Sequence, residues 1–198
     1  PWYSQETWQA LRLSSKSHWD VPVMVNGKTI HMLASHPTPP VFDGPEDRNG
    51  KRNHDEIRFW HDYINPELAS YIYDDKGLKG GITTQQTFVM LGDFNATTVD
   101  GNAIKAGISS LLTNAKIQDA MPHSQAGKLH KPDNINAKYH TSNWGMRVDY
   151  VLASVLGLTL NDSGIFWPRK NEETFRLIKD RSASSDHRLV WVELTTKN

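Results

Sequence analysis

Phe88-Val89-Met90-Leu91-Gly92-Asp93-Phe94-Asn95-Ala96 decides how the rest of the chain is read. Four apolar, strand-favouring residues run into a glycine, an acid, an aromatic and an amide, the pattern of a short buried strand closed by polar residues. A strand inside a sheet is rigid, so the groups at its end are held in place. Asp93 and Asn95 stand two residues apart and point the same way if extended geometry persists. Oxygen ligands paired in this way suit a hard cation such as Mg²⁺, and a carboxylate can also orient a water for attack. Gly, Asp and Asn are ordinary turn formers as well, and on these nine residues alone the turn is the stronger reading. The rest of the chain reverses that balance.

The 198 residues make a single domain, 1–198, long enough to bury a sizeable core, and seven Trp supply bulky core or cleft material. Lys plus Arg number 22 and so do Asp plus Glu, so no global basic field favours salt-driven binding to nucleic acid. The absence of cysteine excludes disulfides, thiolate metal sites and a cysteine nucleophile. No apolar run approaches the length of a membrane span.

Upstream of the central strand, Asn26-Gly27 separates two apolar-rich runs, 19–25 and 28–36. Both residues tolerate positive φ, so this is a β-hairpin with a type I′ turn, and Pro22 belongs at an edge, a bulge or the start of pairing. The second run ends at His36, and Pro37-Thr38-Pro39-Pro40 cannot continue it, which places a histidine at a strand end facing a cleft or the surface. Residues 41–56 are dense in charge and amide. As a loop they are solvated, or hold Ca²⁺ through Asp43, Glu46, Asp47 and Asn49, or clamp a phosphate with Arg48 and Arg52. A helix starts near Asn53 or Asp55, with Ile57, Trp60, Ile64 and Leu68 as a core stripe and Pro66 ending its main section.

Residues 74–86 read as a loop and 103–115 as a helix. The polar stretch 121–143 has the length of a site rim rather than a plain connection. Three strands close the chain. Arg147-Val148-Asp149-Tyr150-Val151-Leu152 alternates, placing Arg147, Asp149 and Val151 on one face. Residues 156–167 form a second strand, interrupted at 161–164. Residues 188–194 form the last, preceded by Ser185-Asp186-His187. Acids and histidines at strand ends from distant parts of a chain are how a sheet-based hydrolase site is assembled.

Gly92-Asp93-Phe94-Asn95, Arg147 to Leu152, and Ser185-Asp186-His187, in this order and with Ser35-His36-Pro37 ahead of them, resemble the endonuclease/exonuclease/phosphatase family. The resemblance implies a four-layered α/β-sandwich of the deoxyribonuclease I type that hydrolyses phosphate esters with Mg²⁺, Mn²⁺ or, less in keeping, Ca²⁺. It further implies that Asp93 orients or deprotonates the attacking water and that Asn95 holds phosphate or water. His187 would contact the scissile phosphate with its tautomer fixed by Asp149. Asp186, with Asp93 and Asn95, would bind metal, and His36 would stabilise phosphate or protonate the leaving oxygen. Arg48, Arg52 and Arg147 are the candidates for substrate contact.

The resemblance spans the later two-thirds of the family domain. N-terminal strands and a metal-binding glutamate are therefore expected upstream, since Gln5-Glu6 follows no strand. Apolar surface left by such strands would be covered by self-association or rearrangement. The expected partner is a small phosphate ester or phospholipid headgroup rather than nucleic acid. A nuclease proper and a catalytically inactive binding module of the same fold are the alternatives. The expected location is periplasmic or extracellular.

Overall fold

A computed structural model describes residues 2–197. The hairpin forms as read: strand β1 (His18–Val25) and strand β2 (Lys28–Ser35) pair antiparallel through Asn26 and Gly27, both at positive φ. β1 lies at the sheet's edge, where Pro22 costs no ladder bond. A short helix α1 (Gln5–Ala10), capped by Ser4, precedes the hairpin, and Glu6 sits exposed on it.

Helix α2 spans Arg48–Tyr63, so it begins earlier than its apolar stripe suggests and stops before Pro66. The charge-dense stretch 41–56 is therefore only partly a loop. Asp43 accepts a hydrogen bond from the Asn49 amide at 2.5 Å, which anchors the first turn of the helix. Strand β3 (Thr87–Asp93) runs parallel to β2, and helix α3 (Lys105–Leu112) and strand β4 (Ile117–Asp119) follow. The rim stretch contains helix α4 (Gln125–His130) and a single 3₁₀ turn. Strand β5 (Asp149–Ser154) pairs antiparallel with both β3 and β4, which completes a five-stranded sheet of order β1-β2-β3-β5-β4. Strands β6 (Leu158–Phe166) and β7 (Leu189–Thr196) form a second, two-stranded antiparallel sheet. β6 is not interrupted over 161–164 as expected but carries a single register shift between Leu160 and Asp162, after which Asp162, Ser163 and Gly164 pair with Glu193, Val192 and Trp191.

β3 is buried on both faces, and each face has its own core. Phe88 and Met90 pack with Ile57, Trp60 and Ile64 of α2 and with Ile108 and Leu111 of α3. Val89 packs on the other side with Ala153, Leu158 and Leu194, under the second sheet. Trp60 is sealed within the first core, and its indole N–H donates to the Ser35 hydroxyl at 2.7 Å, fixing the end of β2. The result is a mixed α/β sandwich with helices outside one face of the larger sheet and the smaller sheet on the other. The hairpin extends beyond that cover, and Trp19, Val21 and Val23 remain exposed on β1.

Candidate active site

The C-terminal end of β3 abuts the N-terminal end of β5, where Asp93 and Asp149 are direct register partners. Parallel pairing brings the end of β2, and hence His36, to the same place. Gly92 makes this closeness possible: it sits at φ +150°, and a Cβ there would lie 2.0 Å from the Ser35 carbonyl oxygen. His187 arrives from the start of β7, bridged to Ser142.

Four side chains then converge. His187 Nδ1 lies 2.9 and 3.1 Å from the two Asp149 carboxylate oxygens. Its Nε2 is 3.8 Å from Asp93 Oδ2, and His36 Nε2 is 3.3 Å from the same oxygen. Trp144 meets the His187 ring edge-on at 4.9 Å. The Asp149 hydrogen bond raises the His187 pKa above the usual imidazole value, against the opposing effect of partial burial. Burial raises Asp93 above the usual carboxylate range, and the charge of Asp149 adds to the rise. The Asn95 amide, His187 and His36 offset part of it.

Asp93, Asp149 and His187 offer ligand atoms within 4.8 Å of one another, the only such group among the described residues. Two half-buried carboxylates facing each other, with burial and mutual repulsion holding the Asp93 carboxyl above the usual range, form a donor set that a divalent cation would relieve. The residues fit such an ion.

The other candidates fall into place unevenly. β3 ends at Asp93, and Asn95 turns into left-handed backbone at φ +52°, so extended geometry does not carry the two side chains the same way. Instead the Asn95 amide closes onto Asp93 Oδ1 at 2.9 Å, and its Nδ2 donates to the Pro37 carbonyl at 3.1 Å. Asn95 thus fixes the Asp93 carboxylate and ties it to the segment after His36. Asp186 is half-buried beside the site and 3.5 Å from Arg181, outside the three-residue group.

Two of the three arginines are engaged elsewhere. Arg147 is buried, forms a bidentate pair with Asp119 at 2.7 and 2.8 Å, and covers the Tyr150 ring. It precedes β5, so strand alternation does not extend back to it, and it serves the helix-side core. Arg52 donates to the Arg12 and Leu13 carbonyls and ties the N-terminal segment to α2. Arg48 is exposed on the first turn of α2.

Sequence reading missed two residues that hold the site together. Asn53 is fully buried on α2, and its Nδ2 donates to the Thr38 and Phe94 carbonyls, both at 2.9 Å, spanning the chain ends that carry His36 and Asn95. Glu56, also fully buried, accepts from the Ser15 amide and hydroxyl and from the Thr38 amide. Asn53 stands four residues before Ile57, on the same helical stripe, and a polar residue on an apolar stripe was the available signal.

Residues 6–187 match the profile of the Endonuclease/Exonuclease/phosphatase family. The chain belongs to that family, whose members are in general phosphoester hydrolases that use a divalent metal. An endonuclease/exonuclease/phosphatase from Beutenbergia cavernae DSM 12333 is similar in structure, with a TM-score of 0.56 at 16% identity over 89% of this chain and 38% of its own. The beta toxin of Staphylococcus aureus gives 0.49 at 14% identity, over 89% of this chain and 55% of its own. A family protein from Leptotrichia buccalis C-1013-b gives 0.45 at 15% identity, over 89% and 52%. At such identities the first of these likenesses speaks for the fold alone. The chain spans between 38% and 55% of the length of these three structures. No curated sequence matches it.

Proposed function

We propose that this chain carries the catalytic groups of a divalent-metal-dependent phosphoesterase acting on a small phosphodiester or phosphomonoester. The observation that carries the reading is the convergence of two histidine Nε2 atoms on one Asp93 oxygen, with the second histidine backed by Asp149. Asp93, held by the Asn95 amide and facing both histidines, orients the attacking water and takes its proton. His187, favoured in its protonated form, donates from Nε2 to a non-bridging phosphoryl oxygen while Asp149 holds Nδ1. His36, the most exposed of the four, contacts the phosphate or protonates the leaving oxygen. Asn95 keeps the Asp93 carboxylate aimed. A Mg²⁺ or Mn²⁺ ion held by Asp93 and Asp149, with Asp186 near by, would supply charge neutralisation for the phosphoryl group.

Balanced charge favours a small ester or a phospholipid headgroup over nucleic acid. The exposed Trp19, Val21 and Val23 support covering of that sheet face by another copy or by further polypeptide, and export is the proposed location.

The test is Mg²⁺- and Mn²⁺-dependent hydrolysis of bis(p-nitrophenyl) phosphate and p-nitrophenyl phosphate by this chain and its Asp93→Ala and His187→Ala forms. Turnover lost in both variants supports the reading, and the preferred ester identifies the branch. A folded chain that binds metal and phosphate without turnover supports the inactive binding module instead.

A further inference from the structure

Asp149 and His187 are 38 residues apart and meet through their side chains, so something must register the two segments against each other. The backbone contacts converge on one residue. Thr141 is buried, and its Oγ1 accepts the amide hydrogens of Val148 and Asp149, at 3.0 and 3.1 Å. Its carbonyl accepts from Arg188 at 2.7 Å and its amide donates to Met146 at 2.9 Å. One residue along, Ser142 bridges His187, and Asn143 donates to the Asp186 carbonyl at 2.9 Å. Val148 in turn accepts from the Phe94 amide at 2.7 Å, which continues the connection to the end of β3 and Asp93.

We propose that Thr141 is the positioning residue that sets Asp149 and His187 in hydrogen-bonding register: its hydroxyl oxygen holds the start of β5 while its carbonyl holds the start of β7. A hydroxyl suits the task because one oxygen has two lone pairs and can accept two amide hydrogens at once. Val keeps the branched shape at Cβ and puts a methyl where the hydroxyl stands, so Thr141→Val removes the acceptor together with the hydroxyl's own donor. The mechanistic consequence of Thr141 rests on the phosphoesterase reading; the geometric one does not.

The experiment therefore reads the Asp149–His187 bond directly, in the metal-free 198-residue chain. The His187 Nδ1 proton, assigned by its loss in His187→Gln, should appear as a downfield ¹H resonance in the wild-type chain and in Thr141→Ser, which keeps the oxygen. It should vanish or exchange-broaden in Thr141→Val while the far-ultraviolet circular dichroism is retained. A folded Thr141→Val with the resonance unchanged overturns the proposal. If Thr141→Val does not fold, Thr141→Ala, which leaves room for a water, is compared in its place. Failure of both to fold while Thr141→Ser folds assigns Thr141 to overall stability and also overturns the positioning role. Where turnover is measurable, kcat should fall about 10- to 100-fold in Thr141→Val with KM changed less than about twofold. Absence of turnover in every form refutes the phosphoesterase reading and leaves the resonance test of Thr141 intact.

Discussion

Removing the Asn53 side chain tests whether helix α2 holds the floor of the site. Asn53→Ala deletes the donors to the Thr38 and Phe94 carbonyls at one stroke. A buried polar group left without a partner costs about 1–3 kcal/mol, so two such carbonyls cost about 4 kcal/mol. Asn53 Oδ1 is itself buried with no partner, and its removal returns about 2 kcal/mol on the same scale. The net loss is about 2 kcal/mol, which for a domain of this size lowers Tm by roughly 4–8 °C. Asn53→Asp keeps the orphaned acceptor and turns a second oxygen toward the same carbonyls, so it should melt lower than the alanine form. Thermal melts at pH 7 with chelator, followed by circular dichroism, give the order wild type, Ala, Asp. A change of under about 2 °C for Asn53→Ala, or an aspartate form that melts above it, would refute the reasoning.

Asp149→Asn should lower the His187 pKa toward its ordinary value, as read by imidazole NMR titration. His187 is raised in the folded state, so its stabilising contribution is whole below the unfolded imidazole value and is lost as pH climbs through the folded one; that pH dependence should disappear in the variant. If turnover is present, it should drop about 10²–10⁴-fold. Asp93→Ala should abolish thermal stabilisation by Mn²⁺ or Mg²⁺, which in the wild-type chain is worth about 2.7 kcal/mol at a hundredfold excess over Kd; a persisting Tm shift would place the ion elsewhere. Arg147→Ala breaks a buried bidentate pair and should destabilise by about 3–5 kcal/mol in denaturant titration while leaving KM unchanged, whereas a raised KM with normal stability would return Arg147 to the substrate.

Periodicity and turn chemistry made the elements legible. Asn26-Gly27 announced its hairpin because few residues accept two consecutive positive φ angles. The run Phe88 to Leu91 read as a buried strand because nothing polar interrupts it, and Ile57, Trp60 and Ile64 read as a core stripe from helical spacing; Leu68, read with them, lies beyond the end of α2 and is exposed. Helix starts were less visible. The first turn of α2 is charged and anchored by Asp43 from outside the helix, which no periodicity records.

Within the site, the sequence by itself determined which groups are present: His36, Asp93, Asn95 and His187, each read beside a strand end, and Asp149, read inside the strand 147–152 but in the structure the first residue of β5. Beyond the His187–Asp149 pairing that the family resemblance implied, only the tertiary structure decided what each touches. Strand alternation, a local rule, ends where the strand ends, so it misaimed Asn95, which turns left-handed, and Arg147, which lies outside β5 and pairs with Asp119. The hydrogen bonds of Asn53, Glu56 and Thr141 join segments far apart along the chain, and their partners are set by how helices and sheets pack. Residue identity is written locally, whereas hydrogen-bond partnership is a property of the assembled core.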